Sequence, residues 1–220
     1  MIIAVSMRTT ETPEYRDLRD AISHDWIRLL DEMGVTPILV PNALRDPSTL
    51  LSQCDVRGLL LTGGDNLGPL AGEAANGAAR PARDRTEAAL LDASLARGLP
   101  VFGVCRGLQV INVYFGGGLL RELTPWGSHV NNQHAVQLTD SWAGQFSSRK
   151  SVTTNSFHAH GVTLRELAPR LKAFAVANTV VEGLRHDTLP VFAVQWHPER
   201  NNPASDLDRA LLKHWVCLCA

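Results

Sequence analysis

The stretch Pro100-Val-Phe-Gly-Val-Cys105-Arg-Gly-Leu-Gln-Val110 decides the fold that this sequence predicts. It opens with a run of apolar residues, which is typical of a buried strand in a parallel sheet. The residues from Arg106 onward have the spacing of an amphipathic helix. Cys105 lies at the junction, with a glycine two residues before it and another two residues after it. Such small neighbours let a strand turn sharply into a helix, so the sequence predicts a strained turn with Cys105 at its tip.

A cysteine at such a turn is a candidate nucleophile. Its side chain would stand clear of the sheet at the amino end of a helix, where the partial positive charge favours the reactive thiolate. A buried structural cysteine is the alternative, because unpaired cysteines are commonly buried and inert. The apolar strand before Cys105 and the helix after it favour the nucleophile.

A thiolate nucleophile needs a base, and His197 is the best placed of the eight histidines. It follows an apolar strand pattern at 191–195, and sites in open α/β sheets gather at the carboxyl ends of strands. Glu199 comes just after Pro198, so its carboxylate can accept a hydrogen bond from one imidazole nitrogen while the other nitrogen faces Cys105. A surface His-Pro-Glu turn is the alternative interpretation.

Acyl transfer also needs hydrogen-bond donors for the oxyanion that forms on the attacked carbonyl. Gly63-Gly64 closes the predicted strand at 57–61, where backbone N–H groups without side chains can point into the site. The N–H of Arg106 is the second candidate, because it directly follows the turn at Cys105. An ordinary turn is the alternative for the glycine pair.

Outward from this segment, strand and helix patterns alternate through the first half of the chain. The predicted strands are 2–5, 36–40, 57–61 and 99–104, and the predicted helices are 18–33, 84–97 and 106–115. The second half has strand patterns at 135–138, 173–177, 180–184 and 191–195, and a last helix that starts at a capping box, Ser205-x-x-Asp208. The alternation predicts one α/β domain over residues 1–220, with a central, mostly parallel sheet, helices on both faces and small additional antiparallel strands.

Composition narrows the classes of partner. The formal net charge of −1 gives no electrostatic attraction for nucleic acid or an anionic membrane. No apolar run reaches the roughly 18 residues of a membrane span, and no basic segment precedes the first apolar residues as in a signal peptide. The four cysteines do not form a dense disulfide framework. We therefore expect a cytoplasmic protein with no nucleic-acid or membrane partner.

Four segments together resemble the class I glutamine amidotransferase superfamily, and within it the peptidase C26 branch that contains gamma-glutamyl-gamma-aminobutyrate hydrolase. The segments are LLLTGGDNL (59–67), RDRTEAALLDASLARGLPVFGVCRGLQVINVYFGGGL (83–119), TNSFHAHGV (154–162) and FAVQWHPE (192–199). The resemblance implies a class I glutamine amidotransferase-like, flavodoxin-like fold. The family's usual Asn-Ser-Tyr/Leu-His-His-Gln turn reads Asn-Ser-Phe-His-Ala-His at 155–160, and its Pro-Gly-Gly reads Thr-Gly-Gly at 62–64. These departures leave selectivity for the leaving group open.

The resemblance also implies roles for individual residues. The catalytic triad would be Cys105, His197 and Glu199, with oxyanion amides from Gly64 and Arg106. The gamma-glutamyl group would be held by Gln109, Asn155, Ser156, Phe157 and His158. The implied reaction forms a gamma-glutamyl thioester on the cysteine, which water then hydrolyses to release glutamate after an amine or amidate has left. No metal or organic cofactor is implied, and the expected partner is a small gamma-glutamyl substrate.

Several alternatives stay open at this point. The same triad in a glutaminase subunit would deliver ammonia to a separate synthetase, whereas a scaffold used only for binding would not need all three triad residue types. Pairing of two copies as a homodimer is also open. The segment 9–19, with Arg16 and Arg19, and the loop 64–83 are expected to read the leaving group, with solvated surface charge as the alternative.

The histidines at 129, 134, 158 and 160 suggest a metal site as a further alternative, since alternate residues of a strand share a face. Histidine-rich turns beside an active site more often make hydrogen bonds. The sequence therefore predicts no metal ligands.

Overall fold

The structure is a computed structural model that describes residues 1–12, 14–15, 17–68, 81–123 and 129–220. The strands are β1 (Ile2–Ser6), β2 (Arg8–Thr12), β3 (Asp17–Ala21), β4 (Thr36–Val40), β5 (Leu59–Leu61), β6 (Val101–Val104), β7 (Asn132–Leu138), β8 (Ser151–Ser156), β9 (Leu171–Ala177), β10 (Val180–His186) and β11 (Val191–Val194). The helices are α1 (His24–Glu32), α2 (Thr49–Gln53), α3 (Pro81–Ala96), α4 (Arg106–Tyr114) and α5 (Ser205–Cys219), with a short 3-10 helix at Ala143–Gln145.

Nine of these strands form one sheet in the order β4-β1-β5-β6-β11-β10-β9-β7-β8. The first five in this order pair in parallel, and the last four add to the same sheet in antiparallel orientation. β2 and β3 form a separate hairpin. The predicted α/β fold is confirmed, and its antiparallel part extends the main sheet. That the whole of 1–220 is one domain stays a prediction.

Helices cover both faces of the sheet, as predicted, because side chains along a strand alternate between the two faces. On one face, Phe102 of β6 packs in a cluster with Trp26 of α1 and Trp215 of α5. On the other face, the neighbouring Val101 packs in a cluster with Leu90 of α3 and residues of α2 and α4. Within the described residues, no helix is long and apolar enough to cross a membrane.

The predicted helix over 18–33 is wrong in its first part. Residues 17–21 form β3, which pairs with β2, and the side chain of Leu18 is 63% exposed. Helix α1 begins only at His24, where the Ser23 side chain accepts a hydrogen bond from the N–H of Asp25. The apolar spacing from Leu18 to Ile22 therefore coincides with helical spacing, while pairing within the hairpin decides the structure.

The predicted capping box before α5 is also wrong. Ala204 is the residue that caps the helix, and no side chain caps its first turn. The carboxylate of Asp208 instead accepts hydrogen bonds from Trp196 Nε1 at 2.7 Å and Asn202 Nδ2 at 2.6 Å. Burial of this carboxyl raises its pKa to about 6. Asp208 thus joins α5 to the segment after β11.

Strand β8 has no counterpart in the prediction. Its sequence, SVTTNS, is polar enough to resemble a loop. It pairs with β7 along its whole length, at the edge of the sheet. Part of the predicted loop 64–83 and the arginine at position 16 lie outside the described residues.

Candidate active site

Three neighbouring parallel strands bring the predicted site together. β5, β6 and β11 lie side by side and run in the same direction. Gly63-Gly64 follows β5, Cys105 follows β6 and His197 follows β11. Because the carboxyl ends of parallel strands share one edge of a sheet, residues far apart in sequence meet there.

Cys105 has the strained backbone that the sequence predicts. Its φ of 53° and ψ of −103° lie outside the regions that residues with a side chain favour. The flanking glycines are needed because a Cβ at Gly103 would lie 2.8 Å from the carbonyl carbon of Gly107. Arg106 is the first residue of α4, so its N–H is among the four that have no partner within the helix.

His197 is held between a carboxylate and the cysteine. Its Nδ1 lies 2.7 Å from Glu199 Oε1, and both side chains are buried. A Cβ at Gly63 would lie 2.8 Å from His197 Cε1 and 3.4 Å from Cys105 Cβ. The imidazole and the cysteine therefore lie against the same glycine, which leaves no room for a side chain between them.

The electrostatics of this pair favour a thiolate. Burial opposes ionisation of Cys105, but the charge of His197 and its hydrogen bond outweigh burial, so the pKa of the thiol is lowered. Burial also opposes protonation of His197, but the thiolate and the Glu199 carboxylate raise the pKa of the imidazole to about 9. A thiolate–imidazolium pair is the nucleophile and acid that acyl transfer requires.

Asn155 holds the segment that carries His197. Its side-chain Nδ2 donates to the carbonyl oxygens of His197 at 2.9 Å and Asn201 at 3.1 Å, and its Oδ1 accepts from the N–H of His197 at 2.8 Å. Ser156 donates its hydroxyl to the carbonyl of His129 at 2.7 Å. Both side chains thus contact protein backbone, and neither residue is among the described residues that line the cleft at Cys105.

The other predicted substrate-binding residues do line this cleft. It has an empty volume of about 630 Å³, and its walls include Gln109, Phe157 and His158 beside Cys105. The amide of Gln109 donates to the carbonyl of His160 at 3.1 Å. The ring of Phe157 is partly exposed, and its centroid is 5.7 Å from that of His197.

Two arginines that no sequence motif indicated reach the same cleft. Arg8, at the start of β2, packs over Gly64, and its side chain is half exposed. The guanidinium of Arg200 lies 4.6 Å above the ring of Phe157. Arg19 is not among the described residues that line the cleft, since it binds Asp17 and Tyr15 on the far strand of the hairpin.

The glycine turn rests on a buried arginine that the sequence patterns also did not indicate. Arg83 of α3 donates to the carbonyls of Thr62 at 2.7 Å, Gly63 at 3.1 Å and Gly64 at 2.9 Å. Its side chain is fully buried and also donates to Glu87 at 2.8 Å. Fixing three successive carbonyls orients the N–H groups of the same turn, because each peptide unit is rigid.

A second arginine continues this charged cluster beneath the cysteine. The Arg106 guanidinium pairs with Glu87 and with Asp84, and all three side chains are buried. Asp84 also accepts from the N–H of Gly68 at 3.0 Å. The cluster joins α3, α4 and the loop after β5 behind the site. Charges so deeply buried persist only when they are paired, so each member depends on the others.

A model of the peptidase C26 family matches residues 1–199, a range that includes Cys105, His197 and Glu199. The chain belongs to the peptidase C26 family. It is 31% identical over 226 residues to the gamma-glutamyl-gamma-aminobutyrate hydrolase PuuD of Escherichia coli, with 90% of this chain and 86% of PuuD covered. It is 24% identical over 222 residues to the gamma-glutamyl-CDP-amidate hydrolase of Campylobacter jejuni, with 99% and 98% covered.

The fold of this C26 protein is also that of a solved structure. A GMP synthase protein from Thermoplasma acidophilum superposes with a TM-score of 0.71 and 22% identity, over 100% of this chain and 94% of the other. At this identity the likeness concerns the fold alone. It agrees with the class I glutamine amidotransferase-like architecture that the sequence motifs predict.

Proposed function

We propose that this protein is a cysteine-dependent hydrolase that cleaves a gamma-glutamyl amide bond. One observation carries the proposal. Cys105 lies on a strained turn against His197, whose other ring nitrogen is 2.7 Å from Glu199. This is the arrangement of nucleophile, base and orienting carboxylate that covalent acyl transfer uses. The names of the C26 relatives supply the gamma-glutamyl class of substrate.

In the proposed first step, the Cys105 thiolate attacks the amide carbonyl and forms a carbon–sulfur bond. The negative charge moves to the carbonyl oxygen, where the N–H groups of Gly64 and Arg106 would stabilise it. Imidazolium His197 gives its proton to the leaving nitrogen as the carbon–nitrogen bond breaks. The products are a free amine or amidate and a gamma-glutamyl thioester.

In the second step, neutral His197 removes a proton from water, and the hydroxide attacks the thioester. The carbon–sulfur bond breaks, glutamate leaves and the thiolate–imidazolium pair is restored. Glu199 stays ionised throughout and holds the imidazole in orientation, as a buried carboxylate does in related triads.

We assign the glutamyl end of the substrate to the wall formed by Gln109, Phe157 and the backbone of 155–158. In this proposal, Asn155 acts as a positioning residue, because its side-chain donors already bind the backbone around His197. Ser156 similarly fixes the backbone near His129.

We assign the leaving group to the side of the cleft that Arg8 and Arg200 line. Gamma-aminobutyrate carries a carboxylate, and a CDP amidate carries phosphates, so the relatives' names describe anionic leaving groups. Two partly exposed guanidinium groups beside the nucleophile suit an anion of this kind. We further propose that the enzyme works in the cytoplasm on small molecules, without nucleic acid or membrane.

The test is a hydrolysis screen over gamma-glutamyl amides with amine, amino-acid, sugar and nucleotide leaving groups. Cys105→Ala should abolish glutamate release and keep the thermal unfolding transition, since the change removes a nucleophile and little volume. Cys54→Ala, which alters a partly buried cysteine elsewhere, is the matched control and should keep full activity. Activity that survives Cys105→Ala on every substrate refutes the proposal. Glutaminase activity that appears only with a second protein favours the amidotransferase reading.

A further inference from the structure

Three histidines converge on one buried carboxylate beside the cleft. The Oε1 atom of Glu182 lies 3.4 Å from His129 Nδ1, 3.5 Å from His134 Nε2 and 3.6 Å from His158 Nε2. Glu182 is fully buried, and the side chains of the histidines are 3%, 16% and 2% exposed, in that order. The residues come from four separate segments: the residues before β7, β7 itself, the turn after β8, and β10.

These distances do not suit hydrogen bonds. A charge-assisted N–H···O bond has a length of about 2.7–2.9 Å, well below the 3.4–3.6 Å found here. Among the described residues, the three nitrogens and both carboxylate oxygens of Glu182 have no hydrogen-bond partner. Five buried polar atoms without partners in one cluster would cost several kcal/mol, which natural proteins rarely leave uncompensated.

The same distances suit ligands of one metal ion. Zinc binds imidazole nitrogen and carboxylate oxygen at about 2.0–2.2 Å, which places ligand atoms of a tetrahedral site about 3.3–3.6 Å apart. The ligand atoms of His129, His158 and Glu182 all lie within 4.8 Å of one another, so modest side-chain rotations would close them around an ion.

The orientation of His158 points the same way. Its Nδ1 lies 3.0 Å from the carbonyl oxygen of His160. Because a carbonyl oxygen only accepts, Nδ1 carries the hydrogen, and in the neutral ring Nε2 presents a lone pair toward Glu182. Two electron-rich atoms face each other stably only if a cation lies between them. A backbone carbonyl that fixes the ring in this way is a common feature behind metal-binding histidines.

The local backbone also aims Glu182 into the cluster. The pairing of β10 with β9 skips this residue, since Val181 pairs with Val176 and Gly183 pairs with Ala175. A bulge of this kind turns a side chain out of the regular alternation and is frequent beside functional sites. Burial opposes ionisation of Glu182, but the three histidines outweigh it and hold its pKa well below the usual range. The carboxylate is therefore charged and available as a ligand.

We propose that His129, His134, His158 and Glu182 form a structural site for one divalent transition-metal ion, with zinc as the best fit. Three imidazoles and one carboxylate are ligands that zinc accepts in tetrahedral geometry, and four protein ligands leave no open position for catalysis. The ion ties the turn after β8, which forms one wall of the cleft, to β7 and β10. His158 then acts as a metal ligand and positioning residue, in place of the substrate contact that the family resemblance implies.

The experiment measures metal content and metal affinity in the full-length protein without substrate, so its result is independent of the proposed hydrolase activity. Protein stripped with a chelator is reloaded with Zn²⁺, dialysed and analysed by mass spectrometry, and a parallel sample is titrated with Co²⁺. We expect one equivalent of zinc per chain, intense visible absorption of four-coordinate cobalt, and a lower unfolding temperature after the ion is removed.

Variants separate this site from incidental binding. His134→Ala and Glu182→Gln should each lower zinc affinity at least about 100-fold, more than changes behind the ligands usually do. The control His24→Ala removes an exposed histidine, and Cys105→Ala removes the cleft thiolate, so both should keep one equivalent. If Glu182→Gln does not fold, the wild-type cobalt spectrum and His134→Ala, whose ring lies nearer the surface, still decide. Wild-type protein that retains no metal, a weak six-coordinate cobalt spectrum, or unchanged affinity in His134→Ala overturns the proposal.

Discussion

Replacing Gly63 by alanine tests the placement of the base against the nucleophile. The added Cβ would lie 2.8 Å from His197 Cε1 and 3.4 Å from Cys105 Cβ. Carbon atoms in ordinary contact are about 3.5–4.0 Å apart, so the imidazole must move by about 0.7 Å or more. The ring cannot move freely, because Glu199 holds its Nδ1 and Asn155 holds its backbone.

The expected cost can be worked from this displacement. A misplacement of about 1 Å in a catalytic group can lower the rate about 100-fold. We therefore expect kcat for the proposed hydrolysis to fall about 10–100-fold, which corresponds to about 1.4–2.7 kcal/mol of transition-state stabilisation. The same crowding should lower the free energy of unfolding by about 1–3 kcal/mol, as overpacked sites do. The pKa of Cys105 should rise as the imidazolium moves away.

Two assays follow these effects. Steady-state hydrolysis of the best gamma-glutamyl amide gives kcat, and the pH dependence of Cys105 alkylation by iodoacetamide gives the thiol's apparent pKa without any substrate. Gly144→Ala is the matched control, because among the described residues no atom lies within 4 Å of the Cβ it would add. Wild-type kcat and an unchanged alkylation profile in Gly63→Ala would refute the geometry of the pair.

Three further outcomes are expected. The pH profile of kcat/KM should be bell-shaped, with an alkaline limb near pH 9 because imidazolium His197, whose pKa is raised to about 9, is lost there, and Glu199→Gln should move that limb downward; an unmoved limb contradicts the assignment. Arg83→Met should lower the free energy of unfolding in urea by about 3–5 kcal/mol, because it leaves Glu87 buried without this partner, whereas the exposed Arg28→Met should cost less than about 1 kcal/mol; equal costs contradict the buried cluster. Arg8→Ala should raise KM for anionic leaving groups more than for neutral ones, and Arg19→Ala should change neither; equal loss on both substrates excludes an anion-binding role.

The sequence by itself determined the α/β framework and the place of the site in it. Glycines at 103 and 107 around Cys105 are readable as a sharp strand-to-helix turn, because the steric requirement is local. The apolar runs that precede Gly63, Cys105 and His197 predict strands, and the rule that parallel strands share a carboxyl edge predicts that their ends meet. The hairpin at 8–21 escaped this reasoning, since an exposed strand and a helix can share the same apolar spacing.

Only the tertiary structure decided which polar residues support that site. Arg83 and Glu87 stand four residues apart on α3, a spacing that in sequence is typical of an exposed ion pair, yet the structure buries both beneath the glycine turn. Asn155 belongs to a motif associated with substrate, but its amide holds the backbone of His197. Glu182 meets three histidines because a bulge turns it inward. These contacts join segments that are distant in the chain, so their partners are set by strand order and register, which local patterns do not encode.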